Sequence, residues 1–360
     1  MAFNKIIQDS LRLPKIFSIG SFNELREVGG YYLDKTHFIS KIEDLNVRSI
    51  ISLSPRRFGK TLFCSTLASY YNIKNKEKFK QLFSNLYIEK NPTPLATSFL
   101  IFNFTFYLLP TSKTDIFNYE FHSFLNSEIF MFMHRYKQEL GNYYFRINEK
   151  TNALTNFLKL LKAVQSSGHK IYVFIDEYDA NIKEALRYKT VSKIKLIESS
   201  FKQFYSCLKT ACDKDIAYVF QTGVTSVDIA EFTTGFNIST DLILKEKFWN
   251  LYGFKKSEIE SLLDNVFGNN FPSNIKEGII KWLYENNEGY FFSPNQPEGI
   301  FNSSRILYYI HELIGKIEDI DYSNDTSTII RKLTRFPPDP NTLPPSDKYL
   351  ELLKNNKVET

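Results

Sequence analysis

Short, nearly continuous apolar runs alternate along this chain with longer segments whose apolar residues recur at helical spacing. The runs VRSIISLS (47 to 54), FLIFNFTF (99 to 106), IYVFID (171 to 176) and IAYVFQTG (216 to 223) are rich in β-branched and aromatic residues on both alternating faces. A strand buried on both sides of a parallel sheet needs that pattern. DLILKEKF (241 to 248) is a weaker fifth candidate. Helical patterns are expected between them at about 115 to 140, 151 to 167 and 190 to 212, the last with Val191, Ile194, Ile197, Phe201 and Phe204 along one stripe. Strands alternating with helices predict an α/β fold, a parallel sheet covered by helices. Beyond Phe254 no comparable strand follows, and helices at about 256 to 267, 273 to 286 and 303 to 316 suggest a separate helical unit. The remainder, 317 to 360, contains FPPDPNTLPPSDKYL (336 to 350) and reads as a polar, proline-rich tail.

Composition is compatible with that division. A chain of 360 residues exceeds the size at which one core usually keeps growing, and 43% apolar content with 33 Phe and 22 Tyr supplies ample core material. The net charge of +5 is the small difference between 45 basic and 40 acidic side chains without a long run of one sign, so charge alone implies no general affinity for nucleic acid or anionic membrane. Cys64, Cys207 and Cys212 show neither metal-ligand nor disulfide spacing and suit a reducing compartment, and the five histidines lie far apart. There is no apolar stretch of signal-peptide or membrane-span length. The expectation is an intracellular protein, cytoplasmic or nuclear, with no membrane partner.

Candidate chemistry sits where the first apolar run ends. LSPRRFGKTLFCSTL (53 to 67) lies between a predicted strand and a helical pattern carrying Leu62, Cys64, Leu67 and Ala68. It approximates the phosphate-loop pattern G-x-x-x-x-G-K-[ST], but Ser54 and Pro55 stand where the first glycine would give the loop its torsional freedom. Gly59, Lys60 and Thr61 keep the second half: helix-opening amides for an anion, an ammonium for the β and γ phosphates, and a hydroxyl for Mg²⁺. Taken alone, the stretch also fits a basic strand-to-helix turn that binds nothing. The second constellation is IYVFIDEYDANI, where an apolar strand ends in Asp176 and Glu177, one carboxylate for a cation and one beside an attacking water. A third strand ends in Gln221 and Thr222, of which Thr222 is the better candidate to sense a γ-phosphate. Ligands of open α/β sheets bind at the carboxyl ends of the strands, where all three sets would lie.

The runs YYLDKTHFI (31 to 39), SPRRFGKTLFCSTL, VFIDEYD (173 to 179), QTGVTS (221 to 226), LYGFKKSEIESLL (251 to 263) and GYFFSPNQPEGIFNSSRILYYI (289 to 310) resemble, in order, the AAA-ATPase-like family over roughly residues 14 to 316. That family is similar to archaeal-type ATPases, and many members carry a PD-(D/E)XK nuclease domain. The resemblance implies a RecA-like P-loop ATPase domain over 14 to 254 and a helical or winged-helix-like lid over 255 to 316, with the proline-rich tail over 317 to 360 beyond it. Its loop is usually R-P-R-R-F-G-K-S, so the missing glycine is a family trait. Ser54, Pro55, Arg56, Arg57, Phe58, Gly59, Lys60, Thr61 and Asp176 then map as ATP-binding, Thr61 and Asp176 as Mg²⁺ ligands, and Glu177, Thr222 and Arg57 as catalytic; Asp179 also maps.

Arg56 and Arg57 would neutralise phosphate directly, act as fingers across a homo-oligomer interface, or form a solvated turn. NEGYFF (287 to 292) stands where the family tends to write YNGYRF, losing a basic residue at Phe291, although Arg305 is near; FNS (301 to 303) replaces YNP. No nuclease-like set follows Lys316. The implied activity is Mg²⁺-dependent ATP hydrolysis coupled to a protein or nucleic-acid client. The alternatives are a nucleotide-binding interaction module with little turnover and a nucleic-acid-associated ATPase.

Overall fold

The computed structural model describes residues 19–105, 114–148, 151–180, 191–224, 239–242, 245–268, 271–287, 289–293, 295–317 and 319–336. These divide into two units. In the first, Phe17–Gly253 with Phe291–Pro297, the principal elements are α1 (Phe22–Glu27), α2 (His37–Glu43), β1 (Ser49–Leu53), α3 (Lys60–Tyr71), β2 (Phe99–Thr105), α4 (Thr114–Arg135), α5 (Ala153–Ser166), β3 (Lys170–Asp176), α6 (Val191–Asp213), β4 (Ala217–Gly223) and β5 (Thr240–Asp241).

The strands form one sheet in the order β2-β3-β4-β1-β5, and every pairing is parallel. Alternation along each strand separates two faces. Ile51, Leu53, Phe102, Val173, Ile175 and Val219 join the cluster built with α4, α5 and α6. On the opposite face Tyr172 and Phe220 meet Tyr71 and Phe63 of α3, with ring centroids 4.9 and 6.3 Å apart. This helix-flanked parallel sheet is consistent with a RecA-like fold.

Two expectations change. The run 241 to 248 is no full strand: pairing ends at Asp241, and Glu246–Phe248 is a 3₁₀ turn. Lys245, Glu246 and Lys247 explain this, because consecutive charges cannot line a strand buried on both faces. The helix expected over 115 to 140 breaks at Tyr136, between α4 and a short helix at Lys137–Leu140. Tyr136 is fully buried, and its hydroxyl accepts the Ile101 N–H (3.0 Å) while donating to Asn72 Oδ1 (3.0 Å). It thereby closes part of the outer edge of β2, which has β3 as its one neighbour in the sheet.

The second unit comprises Phe254–Tyr290 and the described residues from Glu298 onward. It contains α7 (Lys256–Phe267), α8 (Ser273–Asn286), α9 (Ser303–Ile317) and α10 (Thr326–Leu333), with antiparallel bridges pairing Phe254 with Phe301 and Tyr290 with Ile300. Beside those bridges two glycines meet backbone to backbone: a Cβ on Gly289 would lie 2.6 Å from the Gly299 Cα, and one on Gly299 would lie 2.7 Å from the Gly289 Cα. The sequence reading places no helix at α10. Asp325 caps it by accepting the Thr328 N–H (3.0 Å), and Ile329 and Leu333, four residues apart, supply its buried stripe. Two apolar anchors next to a proline-rich stretch are too few to stand out as a pattern.

The β2 edge yields a stability test. Tyr136→Phe keeps the ring but strands the buried Ile101 N–H, and should lower unfolding free energy by about 1–3 kcal/mol. Urea unfolding of parent and variant measures this; equal midpoints would mean that the hydroxyl does not satisfy the edge.

Candidate functional site at the carboxyl edge of the sheet

The loop between β1 and α3 is pinned at its start and at its end. The Ser54 N–H donates to the Gly223 carbonyl of β4 (3.1 Å), and the Phe58 carbonyl accepts the Gly253 N–H (3.0 Å). Phe58 is 1% exposed and packs edge-on against Phe292, so its side chain anchors the loop in the core. Pro55 is half-buried, whereas Arg56 and Arg57 are exposed. Ser54 is not among the positive-φ residues; the left-handed backbone falls instead at Arg57 (φ 68°) and Gly59 (φ 96°). The freedom that the phosphate-loop pattern assigns to its first glycine is therefore not needed at Ser54. Lys60 is buried, with Nζ donating to the carbonyl oxygens of Ser54 and Pro55, each at 2.7 Å, so the ammonium lies within the curl of the loop. Gly59 begins α3 without a side-chain cap.

β4 lies between β1 and β3, and register places Thr222 opposite Ser52. This brings three groups to one carboxylate. Thr61 Oγ1 donates to Asp176 Oδ2 (2.7 Å), Thr222 Oγ1 donates to Asp176 Oδ1, and the Glu177 N–H reaches the same oxygen at 3.1 Å. Glu177 itself is half-buried and holds φ 51°, the left-handed region that costs a non-glycine residue about 1–2 kcal/mol. The next N–H, of Tyr178, donates to the Thr222 carbonyl (3.0 Å), fixing the turn to β4. Gly223 allows that turn: a Cβ there would sit 2.3 Å from Tyr178 Cε1.

Gln221 does not join this group. Its Oε1 accepts the Tyr205 hydroxyl (3.1 Å), and its Nε2 donates to Ser239 Oγ (3.2 Å), which is 2.7 Å from Ser49 Oγ. Burial raises the Tyr205 hydroxyl pKa well above its usual value, keeping it a neutral donor. Burial, reinforced by the Asp176 charge, likewise keeps the Cys64 thiol protonated. Asp179 is buried and accepts the Val224 N–H (3.0 Å). Sequence reasoning assigned Tyr178, Gly223 and Tyr205 no role; only the proximity of the first two to Asp176 and Thr222 hinted at one.

The donor set at Asp176 fits a hard cation. A carboxylate and a hydroxyl 2.7 Å apart are both oxygen ligands, and among the described residues no group of three or more His, Cys, Asp and Glu could hold a metal unaided. Such a position suits Mg²⁺, which keeps several waters and takes its other ligands from phosphates. Among the described residues no helix is long and apolar enough to cross a membrane.

A parallel sheet that gathers a helix-opening loop, a cation-fitting carboxylate and a polar strand end on one edge defines an α/β protein whose candidate site lies at the carboxyl ends of its strands. The chain belongs to the AAA-ATPase-like family: the family described as "Predicted AAA-ATPase" matches residues 17–233, which include the loop, Asp176, Glu177 and Thr222. It is also similar to the "Uncharacterized protein in vnfD 5'region" of Azotobacter chroococcum mcd 1, with 23% identity over 272 residues. That alignment covers 75% of this chain and 48% of the relative, so the chain spans about half the relative's length.

Backbone strain at Glu177 gives a second test. Glu177→Gly should be more stable than Glu177→Ala by about 1 kcal/mol, because glycine adopts positive φ without the Cβ penalty. Melting temperatures of the two variants decide it; an equal or lower value for the glycine variant would remove the strain.

Proposed function

We propose that the protein binds Mg²⁺-ATP at residues 54–61 and hydrolyses it. The observation that carries the reading is the convergence of the Thr61 and Thr222 hydroxyls on the Asp176 carboxylate, with Glu177 next in the chain. Thr61 and Asp176 would hold the cation, whose charge would stabilise the phosphate oxygens during transfer. Lys60 would exchange its bonds to two neutral carbonyls for stronger charge-assisted bonds to phosphate. The uncapped start of α3 would add backbone donors and a favourable helix dipole. Thr222 would read the terminal phosphate from β4, and Glu177 would take a proton from the attacking water. Arg56 and Arg57, exposed on the loop, would neutralise phosphate in the same chain or serve a neighbouring copy in a homo-oligomer.

The domain division over 14–254, 255–316 and 317–360, with a helical or winged-helix-like lid in the middle segment, belongs to this reading, as do an intracellular setting and a protein or nucleic-acid client. A second reading, nucleotide binding with little turnover, is favoured by Phe291, which is 67% exposed where the family tends to carry a basic residue.

Three measurements test the proposal. Mg²⁺-ATP at a hundredfold excess over Kd stabilises a folded protein by about 2.7 kcal/mol. For a chain of this length that raises the melting temperature by roughly 3 to 4 °C. Lys60→Ala should remove most of the shift. Glu177→Gln should retain the shift and abolish turnover, while a parent protein that shifts but turns over no faster than this variant supports the second reading. No shift in the parent at millimolar Mg²⁺-ATP would overturn both.

A further inference from the structure

A cleft of about 470 Å³ is lined at its margin by Thr61 and Asp176. None of residues 54–60 lines it, whereas Thr61 and Asp176 form one end, so this space adjoins the cation position without belonging to the phosphate loop. Its floor follows from strand register. Asn103 pairs with Phe174 and Thr105 with Asp176, and these polar residues interrupt an otherwise apolar strand at alternating positions on one face. Two residues earlier on that face Ile101 is buried, whereas Asn103 is exposed and lines the cleft. The volume falls in the range of small-molecule pockets, roughly 300–1,000 Å³.

The lining specifies a ligand class. Asn23 of α1, Ser65 of α3 and Asn72, which follows that helix, line the cleft together with apolar Phe104, Phe124 and Phe174. Several polar groups have internal duties: Ser65 accepts the Phe22 N–H (2.9 Å), and Asn23 Oδ1 accepts the Ser69 hydroxyl (2.7 Å). The Asn103 amide and the Glu128 carboxylate have no hydrogen-bond partner among the described residues. Glu128 is half-buried, and desolvation raises its pKa against the opposing influence of Arg135. Two carboxylates, Glu128 and Asp176, disfavour an anion, while Arg135 and a cation held at Asp176 disfavour a second positive charge. An uncharged molecule with many hydroxyls satisfies the rest: hydroxyls donate to Glu128, exchange bonds with Asn103, and leave a carbon face for the phenylalanines.

We propose that this cleft is a second binding site, for a small uncharged polyol or sugar, adjoining the cation position. The proposal rests on the nucleotide reading only for that cation, and binding measured without nucleotide keeps the two apart. D-glucose, myo-inositol and D-sorbitol are the probes, titrated calorimetrically into the full chain at millimolar concentration. At least one should give a saturable heat. Asn103→Leu and Glu128→Gln should each weaken it tenfold or more, with melting temperature and Mg²⁺-ATP shift like those of the parent. Ala68→Trp, which fills the cleft from α3, should abolish it. No heat with any probe, or equal heat in parent, Asn103→Leu and Glu128→Gln, would overturn the proposal. Probe binding that persists in a protein unresponsive to Mg²⁺-ATP would overturn the nucleotide reading alone.

Discussion

The site depends on satisfying one carboxylate. Asp176 ends the strand next to β4, and its two oxygens are shared among the hydroxyl opening α3, the hydroxyl ending β4 and the amide of its own turn. Hydrogen bonds to a charged group contribute about 1.5–3 kcal/mol each, more than most neutral contacts, so the register of α3 against the sheet is tied to this point. The parallel strand order makes that tie possible. With every strand running the same way, the loop after β1, the turn after β3 and the end of β4 emerge on one edge, with β4 as the single strand between the first two.

Much of this was legible in the sequence because the informative residues sit where two rules coincide. Runs such as IYVFID are apolar on both faces, which only a covered parallel strand tolerates, and the acidic pair follows directly on the last apolar position. DLILKEKF satisfied hydropathy over its first half alone, and its consecutive charges at 245 to 247 are incompatible with a strand buried on both faces. The helix at 326–333 was hidden because its burial rests on Ile329 and Leu333 and its start on one aspartate cap.

Residue type also misled at the loop. The pattern assigns conformational freedom to the first glycine position, yet Ser54 is held by β4 and the left-handed turns fall three and five residues later. Spacing identifies which groups must meet a phosphate; it does not say which peptide bears the strain. The same limit applies to Tyr178 and Gly223, whose contact crosses from one strand end to the next. In FLIFNFTF the polar pair Asn103 and Thr105 was absorbed into the reading of an apolar strand, and only the fold shows that both line a cleft.

The close pass of Gly289 and Gly299 bears on how this chain can diversify. Most packing constraints are negotiable in evolution, since a larger residue at one position can be accommodated by a smaller one opposite. Here each glycine's obstacle is the other's main chain, which no substitution can shorten. The pair therefore has no compensatory partner, and relatives that vary at either position should differ in the path of the chain around it, through an insertion or deletion between the two.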